Sequence, residues 1–149
     1  MSRQFLIVLG IIFLLGVGGF IYTATQSAGG PPLSVSDPDI SISAPQIGAP
    51  VSSPISVSGT ARGTWYFEAS APVLVVDWDG KIIGTGHVQA QGEWMTTDFV
   101  PFTGSVEFIR PVCAAGADYC THGAVIFRND NPSGDPSRDK AVEIPVKFR

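Results

Sequence analysis

From Phe5 to Tyr22 the chain runs for 18 residues, FLIVLGIIFLLGVGGFIY, without a charge. A helix of that length reaches about 27 Å at ~1.5 Å per residue, close to the ~30 Å hydrocarbon thickness of a bilayer. A core helix that is apolar all round needs a large domain to surround it, and the rest of this chain is too small to do so. Only Arg3 and the terminal amine precede the run, and all 13 acidic residues follow it. The positive-inside bias then assigns residues 1–4 to a cytoplasmic stub, 5–23 to a transmembrane signal-anchor helix, and the remainder to the outside of the cytoplasm. Cleavable signal peptides carry a shorter apolar region, ~7–15 residues, and a small-x-small site. The sites available here are poor: Tyr22 stands two before Ala24 and Gln26 two before Ala28, while Thr25-Gln26-Ser27 is acceptable but not strong. A retained single-pass cell-membrane protein is the expectation; secretion after cleavage is the alternative. No two glycines of the run stand four apart, so it offers no GxxxG pairing, and the exported domain is expected to be monomeric.

Residues 24–39 (ATQSAGGPPLSVSDPD) carry Gly-Gly, Pro-Pro and serines, the composition of an extended linker. From residue 40 to 149 the apolar pattern has a period of two. Ile40 and Ile42, then Ile55, Val57, Gly59 and Ala61, alternate with small polar residues. Further strand-like runs are Trp65–Ala69, Val73–Asp77, Lys81–Gln89, Glu93–Phe99, Val106–Arg110, Gly123–Arg128 and Val142–Phe148. Asp79-Gly80 predicts a hairpin with a tight primed turn. No 3.6-residue apolar repeat is sustained here. The expected fold is all-β, an immunoglobulin-like two-sheet β-sandwich of about seven to nine strands, with a jelly roll or small barrel as the alternative. A formal net charge of −4 without a basic cluster argues against a nucleic-acid partner.

Three stretches then resemble a family. VSSPISVSGTARGTWYFEASAPVLVVDWDGK from Val51, GEWMTTDFVPF from Gly92 and FRNDNPSGDPSRDKAVEIPVKF from Phe127 stand in the order found in the immunoglobulin-like domain of bacterial spore germination. That domain also occurs with GerMN modules and in membrane-anchored proteins of bacteria that form no spores. The resemblance spans about residues 40–149. Asp135-Pro136-Ser137 stands where the family usually has Leu-Pro-Glu, and an insertion carries two cysteines. The resemblance implies an envelope domain with no established catalytic activity and supplies no catalytic residues.

Cys113 and Cys120 lie on the expected exported side, where oxidising conditions favour a disulfide, and Cys-x6-Cys lacks the CxxC spacing of zinc sites. No metal or other cofactor is expected. NDNPSGDPSRDK from Asn129 is rich in oxygen ligands, but Lys140 stands where a calcium loop needs its bidentate Glu. Trp65, Tyr66, Phe67, Trp78, Trp94, Phe99 and Phe102 include candidates for a stacking surface; on a strand, Trp65 and Phe67 share one face and Tyr66 and Glu68 the other. The ligand-facing candidates are Tyr66, Trp78, Asp130, Asn131 and Asp135. Glu68, Glu93 and Asp98 are the carboxylates a hydrolase would draw on, whereas His87 and His122 accompany no nucleophile motif. The expected function is non-catalytic: a binding or structural module of the bacterial envelope, facing an envelope protein or a cell-wall component. An envelope hydrolase and a secreted calcium-stabilised adhesion domain are the alternatives.

Overall fold

A computed structural model describes residues 36–149. The expected transmembrane segment and most of the expected linker lie outside the described residues. Eight strands follow in order: β1 Ile40–Ala44, β2 Ala49–Val51, β3 Ile55–Arg62, β4 Ser70–Asp77, β5 Ile82–Ala90, β6 Phe99–Val106, β7 His122–Arg128 and β8 Ala141–Phe148. Short 3-10 turns occupy Gly63–Trp65, Tyr119–Thr121 and Pro136–Arg138.

The strands form one curled sheet in the order β1-β3-β6-β5-β4-β7-β8-β2. All neighbours are antiparallel except β2 and β8, which are parallel. The expected two separate sheets are instead continuous. β5 pairs with β4 along most of its length, and its last residues, Val88–Ala90, pair with Phe102–Gly104 of β6. That pairing gives partners to backbone groups that would otherwise end the ladder.

The period of two has its physical basis in the pleat, which sends alternate side chains to opposite faces. In β3, Ile55, Val57, Gly59 and Ala61 are buried, and the residues between them lie further out. Val73 and Val75 of β4, Val125 and Phe127 of β7 and Val142, Ile144 and Val146 of β8 join Val57, Phe102 and Trp65 in one core. Phe102 and Phe127 meet there with ring centroids 5.9 Å apart.

Three of the expected strands are not strands. Residues 65–69 leave the 3-10 turn and reverse at Glu68 and Ala69, whose φ angles are +50° and +61°; the reversal is held by paired Phe67 and Ser70 backbone bonds of 3.0 Å. Residues 93–98 form a loop fastened by its own side chains. Glu93 Oε1 accepts from Met95 N at 3.0 Å and Thr96 Oγ1 from Asp98 N at 3.1 Å, bonds that compete with a ladder. Nor does a strand run over 106–110, because β6 ends at Val106 and only an isolated bridge joins Phe108 to Gly84. The Asp79-Gly80 hairpin is present with a different turn. Asp77 and Lys81 bracket three residues, only Gly80 has positive φ, +77°, and Asp77 Oδ1 accepts from Asp79 N and Lys81 N. One left-handed glycine after an ordinary turn and a register shift at Val75/Val76 do the work that two positive angles would otherwise do.

Candidate functional site

The strand directions sort the loops into two ends. The start of β1, the Gly63–Trp65 turn and the β7–β8 connection lie at one end; the β4–β5 turn and the β6–β7 connection lie at the other.

At the first end the 129–140 loop folds on itself through short polar side chains. Asn129 Nδ2 donates to Arg138 O at 2.9 Å while its Oδ1 accepts from Lys140 N at 2.7 Å. Asn131 Nδ2 donates to Asp135 O at 2.8 Å and to Asp139 Oδ1 at 2.7 Å. Asp135 Oδ1 accepts from the amide and the hydroxyl of Ser137, bonds that hold its carboxyl below the usual range. The loop is thus shaped before any ligand arrives, which lowers the ordering cost of binding. Asp130 N donates to Trp65 O at 2.9 Å and joins the loop to the segment following β3.

Between these two segments lies an open hollow of about 470 Å3, lined among others by Thr64, Phe67, Asp130, Asn131 and Arg138. Phe67 is 41% exposed. One aromatic face among amide, hydroxyl, carboxylate and guanidinium groups suits a ligand with both apolar and hydrogen-bonding surface. Beside the hollow, Lys140 Nζ bonds Asp39 Oδ2, and Arg62 Nε lies 3.5 Å from Asp39 Oδ1. Lys140, followed by Arg62, holds the Asp39 carboxyl below its ordinary value against partial desolvation.

The candidates divide between the ends. Asp130 and Asn131 line the hollow; Asp135 braces the loop from outside its lining. Tyr66 requires correction. It also lines the hollow, but it is buried at 4% exposure, and its hydroxyl donates to Val100 O at 2.8 Å. Its ring is part of the core rather than an exposed stacking surface. The expected alternation fails because Trp65 ends the 3-10 turn and no strand runs over 65–69, so consecutive Trp65 and Tyr66 both turn inward and Phe67 comes out. Burial pushes the Tyr66 phenol from 10 up to about 12, with the Ala61 backbone acting the other way. The folded chain therefore favours the neutral phenol. This contribution to stability is fully present below pH 10 and disappears as pH rises through the folded value near 12. Alkaline melts of the wild type should fall across that window. Tyr66→Phe should fall less steeply there while losing about 1 kcal/mol at neutral pH.

Trp78 lies at the opposite end, 52% exposed, with its ring edge-to-face against Tyr119 at 4.8 Å. Tyr119 was not among the sequence candidates; it belongs to the connection that carries the Cys113–Cys120 disulfide. By loop entropy, replacing both cysteines with serine should cost about 3 kcal/mol or less. Urea unfolding checks this; a fully unfolded double variant would give the link a larger role than stiffening one loop. Among the described residues no three His, Cys, Asp or Glu side chains gather as metal ligands.

An all-β head with its loops gathered at two ends has the architecture of an immunoglobulin-like module. The family model of the immunoglobulin-like domain of bacterial spore germination, Gmad2, matches residues 39–117, just over half of the chain, and the chain belongs to that family. The matched span takes in β1 to β6 and ends inside the disulfide loop; β7, the 129–140 loop and β8 follow it. Neither the curated proteins nor the solved structures gave a match.

Proposed function

We propose that this chain is a membrane-anchored, extracytoplasmic and non-catalytic binding module of the bacterial envelope, and that the hollow beside Phe67 takes a cell-wall component. The head is read as an immunoglobulin-type sandwich, with β1, β3 and β6 in one layer and β5, β4, β7, β8 and β2 in the other. The shared core that joins Val57 and Phe102 to Val73 and Phe127 supports that reading. The uncharged run at 5–22 and family membership support anchoring and a non-catalytic role.

The observation that carries the binding role is the preshaped hollow itself. An exposed aromatic ring flanked by Asn131, Asp130 and Arg138 provides stacking and hydrogen bonding on a rigid frame. In sedimentation with isolated cell walls, the detergent-solubilised chain should co-sediment, and Phe67→Ala should weaken retention about tenfold, near the upper value of an aromatic contact. Equal retention of both, or none of either, contradicts the proposal. Release of soluble wall fragments by the wild type, lost in Glu68→Gln, would favour the hydrolase instead.

A further inference from the structure

The groups around the hollow beside Phe67 differ in how far the fold has already used them. Asn129 and Asn131 bond through both ends of their amides. Asn129 reaches Arg138 O and Lys140 N, and Asn131 reaches Asp135 O, Asp139 Oδ1 and the Ser133 hydroxyl. Lys140 is held by Asp39. The neutral amides are thus taken up in shaping the loop, and two groups of opposite charge are not. Among the described residues the Asp130 carboxylate has no hydrogen-bond or ion-pair partner. The Arg138 guanidinium has only Asp135 Oδ2, 3.9 Å from its Nε, and 72% of its side chain is exposed.

Both charges stand on fixed backbone. Asp130 N donates to Trp65 O, and the asparagine side chains on either side of Asp130 fasten the loop around it. Arg138 O accepts from Asn129 Nδ2, while Arg138 N donates to Asp135 O at 3.0 Å. A carboxylate, a guanidinium and the exposed Phe67 ring around one hollow complement a ligand that carries both charges and an apolar part.

Charge also discriminates among the polymers of a cell wall. Residues 36–40, 62–69, 91–99 and 128–140 meet at this end of the head and carry eight Asp or Glu against four Lys or Arg. A phosphate-bearing polyanion is repelled by that excess. An uncharged glycan can bond Asp130 through its hydroxyls, but it brings no charge to offset the carboxylate and the guanidinium as water is displaced. A peptide with a free ammonium and a free carboxylate offsets both.

We propose that the hollow recognises the peptide part of the cell wall: a short peptide whose ammonium pairs with Asp130, whose carboxylate pairs with Arg138 and whose apolar side chain lies on Phe67. This assignment rests on the reading of the hollow as a cell-wall site.

Sedimentation of the full chain in detergent with isolated walls tests the two separately. Acetylating the wall amines turns each ammonium into a neutral amide. Untreated walls should retain the wild type, and acetylated walls should retain it about tenfold less, the loss of one charge-assisted pair. Asp130→Asn keeps the backbone bond to Trp65 O. It should be retained about tenfold less by untreated walls and no less again by acetylated ones, because both changes remove the same pair. Arg138→Gln should behave likewise toward walls whose carboxyls have been amidated. Peptides released from the walls by an amidase should displace the chain, and the glycan strands left behind, cut to soluble length, should not. Acetylation or amidation without effect, losses that multiply between variant and treated wall, displacement by glycan, or none by peptide overturns the peptide assignment while leaving the cell-wall reading in place. No retention by untreated walls overturns both.

Discussion

Trp65→Ala is expected to lower stability by about 3–5 kcal/mol, the range for truncating a large buried aromatic, and so to remove a large part of the ~5–15 kcal/mol available to a domain. Trp65 is 1% exposed, among the largest fully buried side chains, and it lies beneath the hollow as well as in the core. Trp65→Phe should behave differently. The Trp65 Nε1 donor has no hydrogen-bond partner among the described residues, and burying such a donor costs about 1–3 kcal/mol. Phenylalanine keeps most of the ring contact and discards that donor, so its loss should stay within about 1–2 kcal/mol. Urea denaturation separates the cases: the Ala midpoint should drop far below the Phe midpoint at a similar slope. Equal losses would mean that the indole nitrogen carries a bond essential to the fold.

Gly63→Ala is the second large effect, and its cause is the close approach of another stretch of backbone. A Cβ at this position would stand 2.0 Å from Thr96 O and 2.3 Å from Trp94 O, neither of which can rotate away as a side chain would. The 93–98 loop must then move off, straining the bonds from Gly63 N to Asp98 O and from Arg62 Nη1 to Thr97 O, both 3.0 Å. The expected cost is about 2–4 kcal/mol, from overpacking plus weakened hydrogen bonds. Thr64→Ala, one residue on, should stay within about 0.5 kcal/mol in the same melts. A Gly63→Ala variant as stable as the wild type would show that the loop does not rest on this backbone.

Much of the fold is readable where one face of a strand is buried, because burial forces the period of two. Ile55, Val57 and Ala61 of β3 and Val142, Ile144 and Val146 of β8 show it without any structure. The misread segments are those where local polar bonds prevail. Glu93 and Thr96 hold backbone amides two residues on, and Glu68-Ala69 takes two positive φ angles that neither residue type signals. The continuity of the sheet depends on three residue pairs between β5 and β6, which no local pattern encodes. At the hollow, the Asn129–Lys140 loop announces itself through its Asn, Pro, Ser and Gly residues. Its meeting with Thr64–Phe67 joins residues more than sixty positions apart, through a backbone bond that carries no side-chain signature. For the same reason Phe67 outside and Tyr66 inside could not be told apart from spacing alone.

The account rests on a strand-built head held outside the cytoplasm by the apolar run. Treating intact cells with a membrane-impermeant amine reagent, then mapping modified lysines on the chain recovered from the membrane fraction, tests this most directly. Modification of Lys81 and Lys147, at the Trp78 end of the head, before lysis is the predicted result. A chain recovered from the soluble interior, with those lysines modified only after lysis, would contradict it.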